Sequence, residues 1–284
     1  MRFAMLRHEG PALVVEKTAI PLPAGAGWPR SLEELIAGAA AARQRIEAWS
    51  PSAAARAAAR PLSEVAFDAP LRPERFVFTI GENYAGAGEA TQPNRDAPLI
   101  FGKLGSSVVG PDAELSWEPA LLPLVDYEVE LAVIIGARVR NCAPEEALDH
   151  VFGYTCLNDI ASREQRYDGD QWLLGKSHPS FCPIGPWIVT ADDVPDPYAL
   201  PMRSILNGEI VQSGSSAQMR FRIPEIISYL SRFMELAPGD VIATGTPPVT
   251  GIGRQPPRLL EDGDEITIEI DGIGSLRNRV VLRP

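Results

Sequence analysis

The chain has 284 residues, 45% of them hydrophobic, and its 37 acidic and 26 basic side chains give a formal net charge of −11. This length and apolar fraction are sufficient for one large domain with a substantial core. The acidic balance, without a basic tract, argues against a nucleic-acid partner or an anionic membrane surface, and no apolar stretch approaches the ~20 residues of a membrane span.

The first 72 residues differ in pattern from the rest. Charges interrupt the N-terminus where a signal peptide would be apolar, so we expect no export signal and a cytoplasmic protein. The segments RFAMLRH and PALVVEK predict a short hairpin. Ser31 and Glu34 stand in capping-box spacing and predict a helix from about Leu32 to Trp49. The alanine-rich, proline-punctuated segment that follows is interpreted as a helix or a linker.

From Phe76 onward, short β-branched and aromatic runs alternate with Pro and Gly turns. Two helices are predicted among them, one beginning at Pro144 and one in IPEIISYLSRFMEL. The second places five apolar residues at helical spacing: Ile226, Ile227, Leu230, Phe233 and Met234. Strands this numerous and this irregularly connected indicate a mixed, mainly β core of sandwich or barrel type. No Gly-rich phosphate loop follows a strand, so we expect no nucleotide cofactor.

The run DYEVELAVIIG, residues 126–136, places acids at the start of a strand that is otherwise apolar. In a strand, Asp126, Glu128 and Glu130 share one face, and the apolar residues that follow are expected to be buried on both faces. An unpaired buried charge costs several kcal/mol, on the order of a large fraction of a domain's stability. On this pattern alone, a solvated face explains the glutamates as well as a functional site does, as in the alternating strand DEITIEIDG.

A third acid, Asp159, ends another apolar run and is followed by Arg163 and Arg166. Three carboxylates at the ends of buried strands, neutralised by a divalent ion, would explain why the chain places charges there. Oxygen ligands suit Mg²⁺, Mn²⁺ or Ca²⁺, and an octahedral ion would keep positions open for water and substrate. By spacing alone, a Glu-x-Glu pair and a distant Asp form a weak signal.

Six motifs extend this signal in order along the chain: DYEVELAVIIG, FGYTCLNDIASRE, LLGKSHPSFCPIGPWIV, LNGEIVQSGSSAQMRF, IPEIISYLSRFMELAPGDVIATGTP and DGDEITIEIDGIGSLRN. Together they resemble the fumarylacetoacetate hydrolase family over residues 73–284. The resemblance implies an α+β, mainly β fold, a mixed β-sandwich roll, with residues 1–72 as a small, variable N-terminal α/β domain. It also implies a divalent metal, usually Mg²⁺, commonly a homodimer, and small anionic β-diketo or α-keto acids as substrates.

The resemblance implies roles for individual residues as well. The metal ligands are expected to be Glu128, Glu130 and Asp159. The residues expected to contact substrate are Arg163, Arg166, Thr246 and Tyr84. Lys176 matches the active-site lysine of the family and could donate to a carbonyl or a developing enolate oxygen. A surface position for this lysine, and salt bridges from the two arginines to neighbouring acids, are the structural alternatives.

One departure concerns the base that activates water. The hydrolases of the family usually carry a histidine, and a glutamate three residues later, just after an Asn-Tyr pair; here these positions are Ala87 and Ala90. Glu89, one residue away, and His178, two residues after the lysine, are the candidate replacements. A glutamate that does not reach the site and a packing histidine are the alternatives. Arg166 is a further departure, since the family often has glutamine there.

These departures leave the reaction open. C–C bond hydrolysis of an acylpyruvate- or fumarylacetoacetate-type substrate needs a base to activate water. Metal-dependent decarboxylation or enol–keto isomerisation needs mainly the metal as an electron sink, and Ala87 favours it. We rank hydrolysis slightly first, decarboxylation or isomerisation second, and a non-catalytic metal-binding homologue third.

Overall fold

The structure, a computed structural model, describes residues 1–50, 52–73, 76–164 and 171–282. These residues form strands at β1 Arg2–Leu6, β2 Gly10–Val15, β3 Thr18–Pro21, β4 Arg60–Pro61, β5 Phe67–Asp68, β6 Phe76–Gly81, β7 Leu99–Leu104, β8 Val108–Val109, β9 Glu114–Leu115, β10 Val125–Asp126, β11 Val129–Ile135, β12 Val151–Asn158, β13 Ala161–Ser162, β14 Cys182–Thr190, β15 Pro201–Leu206, β16 Glu209–Ser215, β17 Val241–Ala243, β18 Glu265–Ile270 and β19 Gly274–Val280. The α-helices are α1 Leu32–Ala37, α2 Ala39–Trp49, α3 Ala53–Ala58, α4 Trp172–Lys176 and α5 Ile223–Phe233. Short 3₁₀ helices lie at Leu62–Glu64, Gly105–Ser107, Pro144–His150, Ala191–Asp193, Ser216–Gln218 and Gly251–Gly253.

The strands form two large sheets that pack face to face. The larger has the order β4-β3-β2-β1-β14-β12-β11-β17-β6-β7, with β5 paired to β1 and β8 to β14, and the smaller has the order β16-β15-β18-β19-β9. Most pairs are antiparallel, but β6 pairs with β17 in parallel. The mainly β, mixed-sheet fold class is therefore confirmed.

Strand β11 is buried over its whole length because each of its faces is covered by a different layer. Leu131 and Val133 belong to the core shared with the smaller sheet. Ala132 and Ile134, which point the other way, belong to the core shared with the N-terminal helices. The continuous apolar run of this strand is thus accounted for by two-sided burial.

The N-terminal segment is built into the larger sheet. Strand β1 pairs antiparallel with β14, so that Phe3 lies opposite Ile188. Phe3 and Leu35 belong to the same apolar core as Ile134 and Ile184. The division after residue 72 stays a prediction, but both the sheet and the core cross it.

The predicted helix from Leu32 to Trp49 is wrong as a single element, because the helix is interrupted at Gly38. Glycine is a poor helix former, and this one lies between the two shorter helices. The Ser31 hydroxyl accepts the backbone N–H of Glu34 at 3.2 Å, as the capping spacing indicates. The Glu34 carboxylate, however, accepts the N–H of Arg30.

The other two predicted helices are present, and α5 ends at Phe233, three residues before the end of the predicted segment. The Pro144 segment is a seven-residue 3₁₀ helix. In α5 the side chains of Ile226, Ile227 and Leu230 are buried, whereas Phe233, at the same helical spacing, is 65% exposed. No helix within the described ranges is long and apolar enough to cross a membrane.

Candidate functional site

Two neighbouring strands bring the predicted carboxylates together. β11 and β12 are antiparallel, with Val129 opposite Asn158, so the start of one strand lies beside the end of the other. The N–H of Asp159 donates to the carbonyl of Glu128 at 3.0 Å and fixes this edge. One carboxylate oxygen each from Glu128, Glu130 and Asp159 then lies within 4.8 Å of the others, and all three residues are buried.

Two lysines neutralise part of this negative charge. Lys176, the last residue of α4, places Nζ 2.6 Å from Glu128 Oε2 and 2.7 Å from Asp159 Oδ2. Lys103 on β7 places Nζ 2.6 Å from Asp159 Oδ1. Burial lowers the pKa of Lys176, but the Asp159 and Glu128 carboxylates outweigh it and the net pKa is raised. Lys176 is therefore an ammonium group at neutral pH.

Arg163 forms a second ionic cluster on the other side of Glu128. Its Nε and Nη2 donate to Asp126 Oδ2 at 2.9 and 2.6 Å, and Nη2 also donates to Glu128 Oε1 at 2.8 Å. The Thr250 hydroxyl donates to the same Asp126 oxygen. Buried Nη1 has no hydrogen-bond partner within the described parts of the chain. The ion-pair partners of Arg163 among the described residues are thus Asp126 and Glu128, not the neighbouring Glu164.

Glu130 differs from the other two carboxylates of the triad. Its Oε2 accepts the N–H of Gly245 at 2.8 Å, and none of the ion pairs among the described residues includes it. Burial, together with the nearby Asp159 and Glu128 charges, raises its pKa well above the usual range. In the ionised state, the site holds four buried carboxylates and three buried cations: Asp126, Glu128, Glu130 and Asp159 against Lys103, Arg163 and Lys176. A divalent cation would more than offset the excess negative charge. The donor set, three carboxylates with one lacking a cation, fits a hard divalent ion.

A cavity of about 410 Å³ opens onto four of these groups, Glu128, Glu130, Arg163 and Lys176. Its lining includes Glu128, Glu130, Arg163, Lys176, Tyr84, Thr246, Phe101, Trp172 and Arg220. The hydroxyl of Tyr84 lies 3.1 Å from that of Thr244. The hydroxyl of Thr246 donates to the carbonyl of Val129 at 2.8 Å and accepts from Gln212 Nε2 at 2.9 Å. Tyr84 and Thr246 therefore reach the cavity from two different strand ends.

The candidate bases do not join this group. The Glu89 side chain is 59% exposed and pairs with Arg220, and it is not part of the cavity lining. His178 lies against the ring of Phe181, and burial followed by the Lys103 charge lowers its pKa. It does not line the cavity either. Arg166 lies outside the described residues, so its predicted contact with substrate stays a prediction.

Comparison with known proteins identifies the family. Residues 76–281 match the profile described as fumarylacetoacetate hydrolase, C-terminal. The chain belongs to the fumarylacetoacetate hydrolase family. Among its relatives in this family, the human mitochondrial oxaloacetate tautomerase FAHD2A is 44% identical over 225 residues, 78% of this chain and 71% of that protein.

Solved structures of the fumarylacetoacetate hydrolase family have the same fold. The fumarylacetoacetate hydrolase from Exiguobacterium antarcticum is 35% identical, with a TM-score of 0.86 and all of both chains covered. Maleylpyruvate hydrolase from Sphingobium sp. SYK-6, in complex with manganese(II) and pyruvate, is 32% identical, with a TM-score of 0.84 and the same coverage.

Sequence reasoning missed Lys103 and left Asp126 without a role. Lys103 lies in PLIFGKL, an apolar strand in which Phe101 and Lys103 share a face. A lysine within such a run is the signal that could have indicated a buried ion pair. Asp126 lies on the same predicted face as the two glutamates, and its partner Arg163 comes from a distant segment.

Proposed function

We propose that this protein is a divalent-metal-dependent enzyme that interconverts the enol and keto forms of a small dicarboxylic α-keto acid of the oxaloacetate type. The observation that carries the proposal is the composition of the cavity. Its lining joins two carboxylates of the acidic triad, Glu128 and Glu130, to the ammonium group of Lys176, whereas Ala87 stands where the hydrolases of the family usually carry histidine. Neither Glu89 nor His178 lines it. The order of our hypotheses therefore changes, with isomerisation ahead of C–C hydrolysis.

Similarity to known enzymes supports the same ranking. The human relative is named an oxaloacetate tautomerase, and the Bacillus subtilis protein YisK, 41% identical over 225 residues, carries the same activity in its name. The maleylpyruvate hydrolase neighbour holds manganese and pyruvate, which supports a divalent ion and a keto acid. Hydrolysis is the activity in that neighbour's name, so it is the alternative that an assay has to separate.

Glu128, Glu130 and Asp159 would hold the ion, for which we propose Mg²⁺. When bound, it would supply a Lewis acid that stabilises negative charge on the substrate's enolate oxygen. The side chain of Glu130, which has one backbone donor and no cation among its described contacts, gains most from that charge. Arg163 holds the Glu128 carboxylate in place through Nη2.

Lys176 carries the proton in the proposed reaction. Conversion of an enol to a ketone removes a proton from the hydroxyl oxygen and adds one to the neighbouring carbon. Nζ of Lys176 donates to that carbon, and the proton of the enol hydroxyl returns to Nζ, so the enzyme is unchanged at the end. The aromatic ring of Phe101, which also lines the cavity, has its centre 5.4 Å from Nζ and favours the charged ammonium form.

The test is an assay with Mg²⁺ that follows three reactions separately: enol–keto exchange of oxaloacetate, its decarboxylation to pyruvate, and cleavage of acetylpyruvate to acetate and pyruvate. We expect acceleration of the exchange, loss of that acceleration in Glu128→Ala, and retention in Glu118→Ala, which removes an exposed glutamate elsewhere. Cleavage of acetylpyruvate without acceleration of the exchange would refute the proposal and restore hydrolysis.

Two accompanying proposals concern assembly and location. A homodimer is common in the family, and we propose one here, to be tested by light scattering of the purified protein. A cytoplasmic location also stays a proposal, because the human relative is named a mitochondrial protein.

A further inference from the structure

The cavity contains a third cation that the acidic triad does not engage. Among the described residues that line it, the cations are Arg163, Lys176 and Arg220. The first two are bound by buried carboxylates. Arg220, with a side chain only 11% exposed, pairs instead with Glu89, whose side chain is 59% exposed. Its positive charge is thus held by a partner that lies mostly in water.

The backbone at Arg220 is fixed by hydrogen bonds to Asn83. Its N–H donates to the carbonyl of Asn83 at 2.7 Å. The side chain of Asn83 then bonds both the N–H and the carbonyl of Phe221, and also the carbonyl of Thr244, so the amide connects three segments. Because the backbone at Arg220 is fixed in this way, its guanidinium loses little further conformational entropy when it binds a ligand.

The guanidinium itself is oriented by backbone carbonyls. Nη1 donates to the carbonyls of Ala90 and Gln92 at 2.7 and 3.1 Å, and Nη2 donates to Glu89 Oε2 at 2.5 Å. The Nη1 bonds hold the plane of the group, whereas the Nη2 bond is made with the exposed acid. Glu89 Oε2 also accepts the N–H of Gly86 at 2.9 Å, so it keeps a partner when it releases Arg220.

We infer that Arg220 determines specificity by binding the second carboxylate of a dicarboxylic keto acid, in exchange for Glu89; this inference rests on the proposed function. Glu128 and Glu130 of the acidic triad line the cavity together with Lys176, and Arg220 shares no hydrogen bond with these residues in the described structure. A substrate whose α-keto acid end lies at the triad places its other end at a separate point. An arginine there distinguishes a carboxylate from an uncharged group of the same shape, since arginine binds carboxylates through paired, charge-assisted bonds.

Two substrates form a matched pair for the test. Oxaloacetate carries a carboxylate where acetylpyruvate carries an acetyl group, and both enolise at the same carbon. In Arg220→Met we expect kcat/KM for enol–keto exchange to fall about 10- to 100-fold for oxaloacetate and less than threefold for acetylpyruvate. Arg220→Lys is expected to recover part of the loss, because it restores the charge without the planar fork.

A second variant separates recognition of substrate from support of the loop. Glu89→Gln removes the competing carboxylate and leaves Arg220 in place, so we expect oxaloacetate turnover to be retained or increased. If Arg220 served only to hold residues 86–92, Glu89→Gln would weaken turnover as Arg220→Met does. An equal loss for both substrates in Arg220→Met would likewise overturn the inference.

A binding measurement makes the result independent of turnover. Calorimetry in the presence of Mn²⁺ compares malate with 2-hydroxybutanoate, which differ only in the second carboxylate. We expect the wild type to favour malate at least tenfold and Arg220→Met to lose this preference. The preference without any turnover would refute the proposed function and keep the role of Arg220, whereas turnover without the preference would do the reverse.

Discussion

Glu130→Gln is the substitution that most directly tests the charge balance of the site. Glu130 is 2% exposed and lies beside two other carboxylates, with one backbone donor as its described hydrogen-bond partner. Glutamine keeps the shape of the side chain and an oxygen that can accept the N–H of Gly245. It removes the charge, so the metal-free protein should become more stable at neutral pH.

The size and the pH dependence of this effect follow from the raised pKa of Glu130. In the unfolded chain a glutamate has a pKa near 4.3, whereas burial and the Asp159 and Glu128 charges raise the pKa in the folded protein. The folded state then binds more protons, so the free energy of unfolding falls as pH rises from about 4 through the native pKa. Neutral pH lies about three units above the unfolded value, which limits the cost to about 4 kcal/mol.

The assay is thermal or urea denaturation of the wild type and Glu130→Gln, in chelator and in Mn²⁺. In chelator at pH 7 we expect the variant to be more stable by about 2 to 4 kcal/mol, with the difference disappearing near pH 4. In Mn²⁺ the wild type should gain stability because the ion binds only the folded state, and the variant should gain far less. Glu118→Gln, at an exposed position, should change neither result.

Two outcomes would refute this reasoning. A variant less stable than the wild type in chelator would mean that the ionised carboxylate is compensated by groups that the contacts of Glu130 do not include. Equal stabilisation of both proteins by Mn²⁺ would mean that Glu130 is not a ligand of the ion.

Three further predictions concern other positions. Lys103→Met should lower the free energy of unfolding, measured by urea denaturation, by about 3 to 5 kcal/mol, because it leaves Asp159 with one fewer buried cation. Lys17→Met, at an exposed position, should lower it little, and equal effects of the two substitutions would contradict the prediction. Lys176→Met should lower kcat by a factor of about 10² to 10⁴, because it removes the residue that carries the proton. It removes no metal ligand, so Mn²⁺ binding measured by calorimetry should not weaken, and weaker binding would contradict the prediction. Val249→Gly should raise the urea midpoint. Val249 is 58% exposed and has φ of 67°, a backbone conformation that costs a β-branched residue about 1 to 2 kcal/mol, which exceeds the conformational entropy that glycine loses on folding. A lower midpoint would contradict this prediction.

The sequence places the three carboxylates of the triad at strand ends, and the resemblance to the family distinguished them from other alternating acids such as those of DEITIEIDG. Glu130 precedes a continuous apolar run and Asp159 ends another, and antiparallel neighbours bring a start and an end to one edge. The resemblance supplied Lys176, which the structure places against two of the three carboxylates. The assignment of Glu128, Glu130 and Asp159 as metal ligands stays a prediction that the Mn²⁺ measurements test.

The remaining parts of the site depend on contacts between distant segments. Lys103 reaches Asp159 across 56 positions, and Arg220 reaches Glu89 across 131, so no local pattern indicates either pair. Glu89 was considered as a base because it stands one residue from the expected position. Glu89 lies outside the cavity lining, and its ion pair with Arg220 is not indicated by any local pattern in the sequence. The sequence does not indicate the break at Gly38, because leucine and glutamate before it and alanine after it all favour helix.

The pairing of β1 with β14 has a consequence for how the chain is made. Residues 2–4 leave the ribosome long before the strand that they join, at residues 187–189, which is synthesised about 180 positions later. Until then β1 has only its hairpin partner β2, and a two-stranded hairpin is at best marginally stable. The order of synthesis therefore opposes early completion of the larger sheet, and contacts this far apart in sequence slow folding. During translation, apolar side chains such as Phe3 and Leu13 therefore lack their partners on β14 and the later strands, and such transiently exposed apolar surface is prone to aggregation.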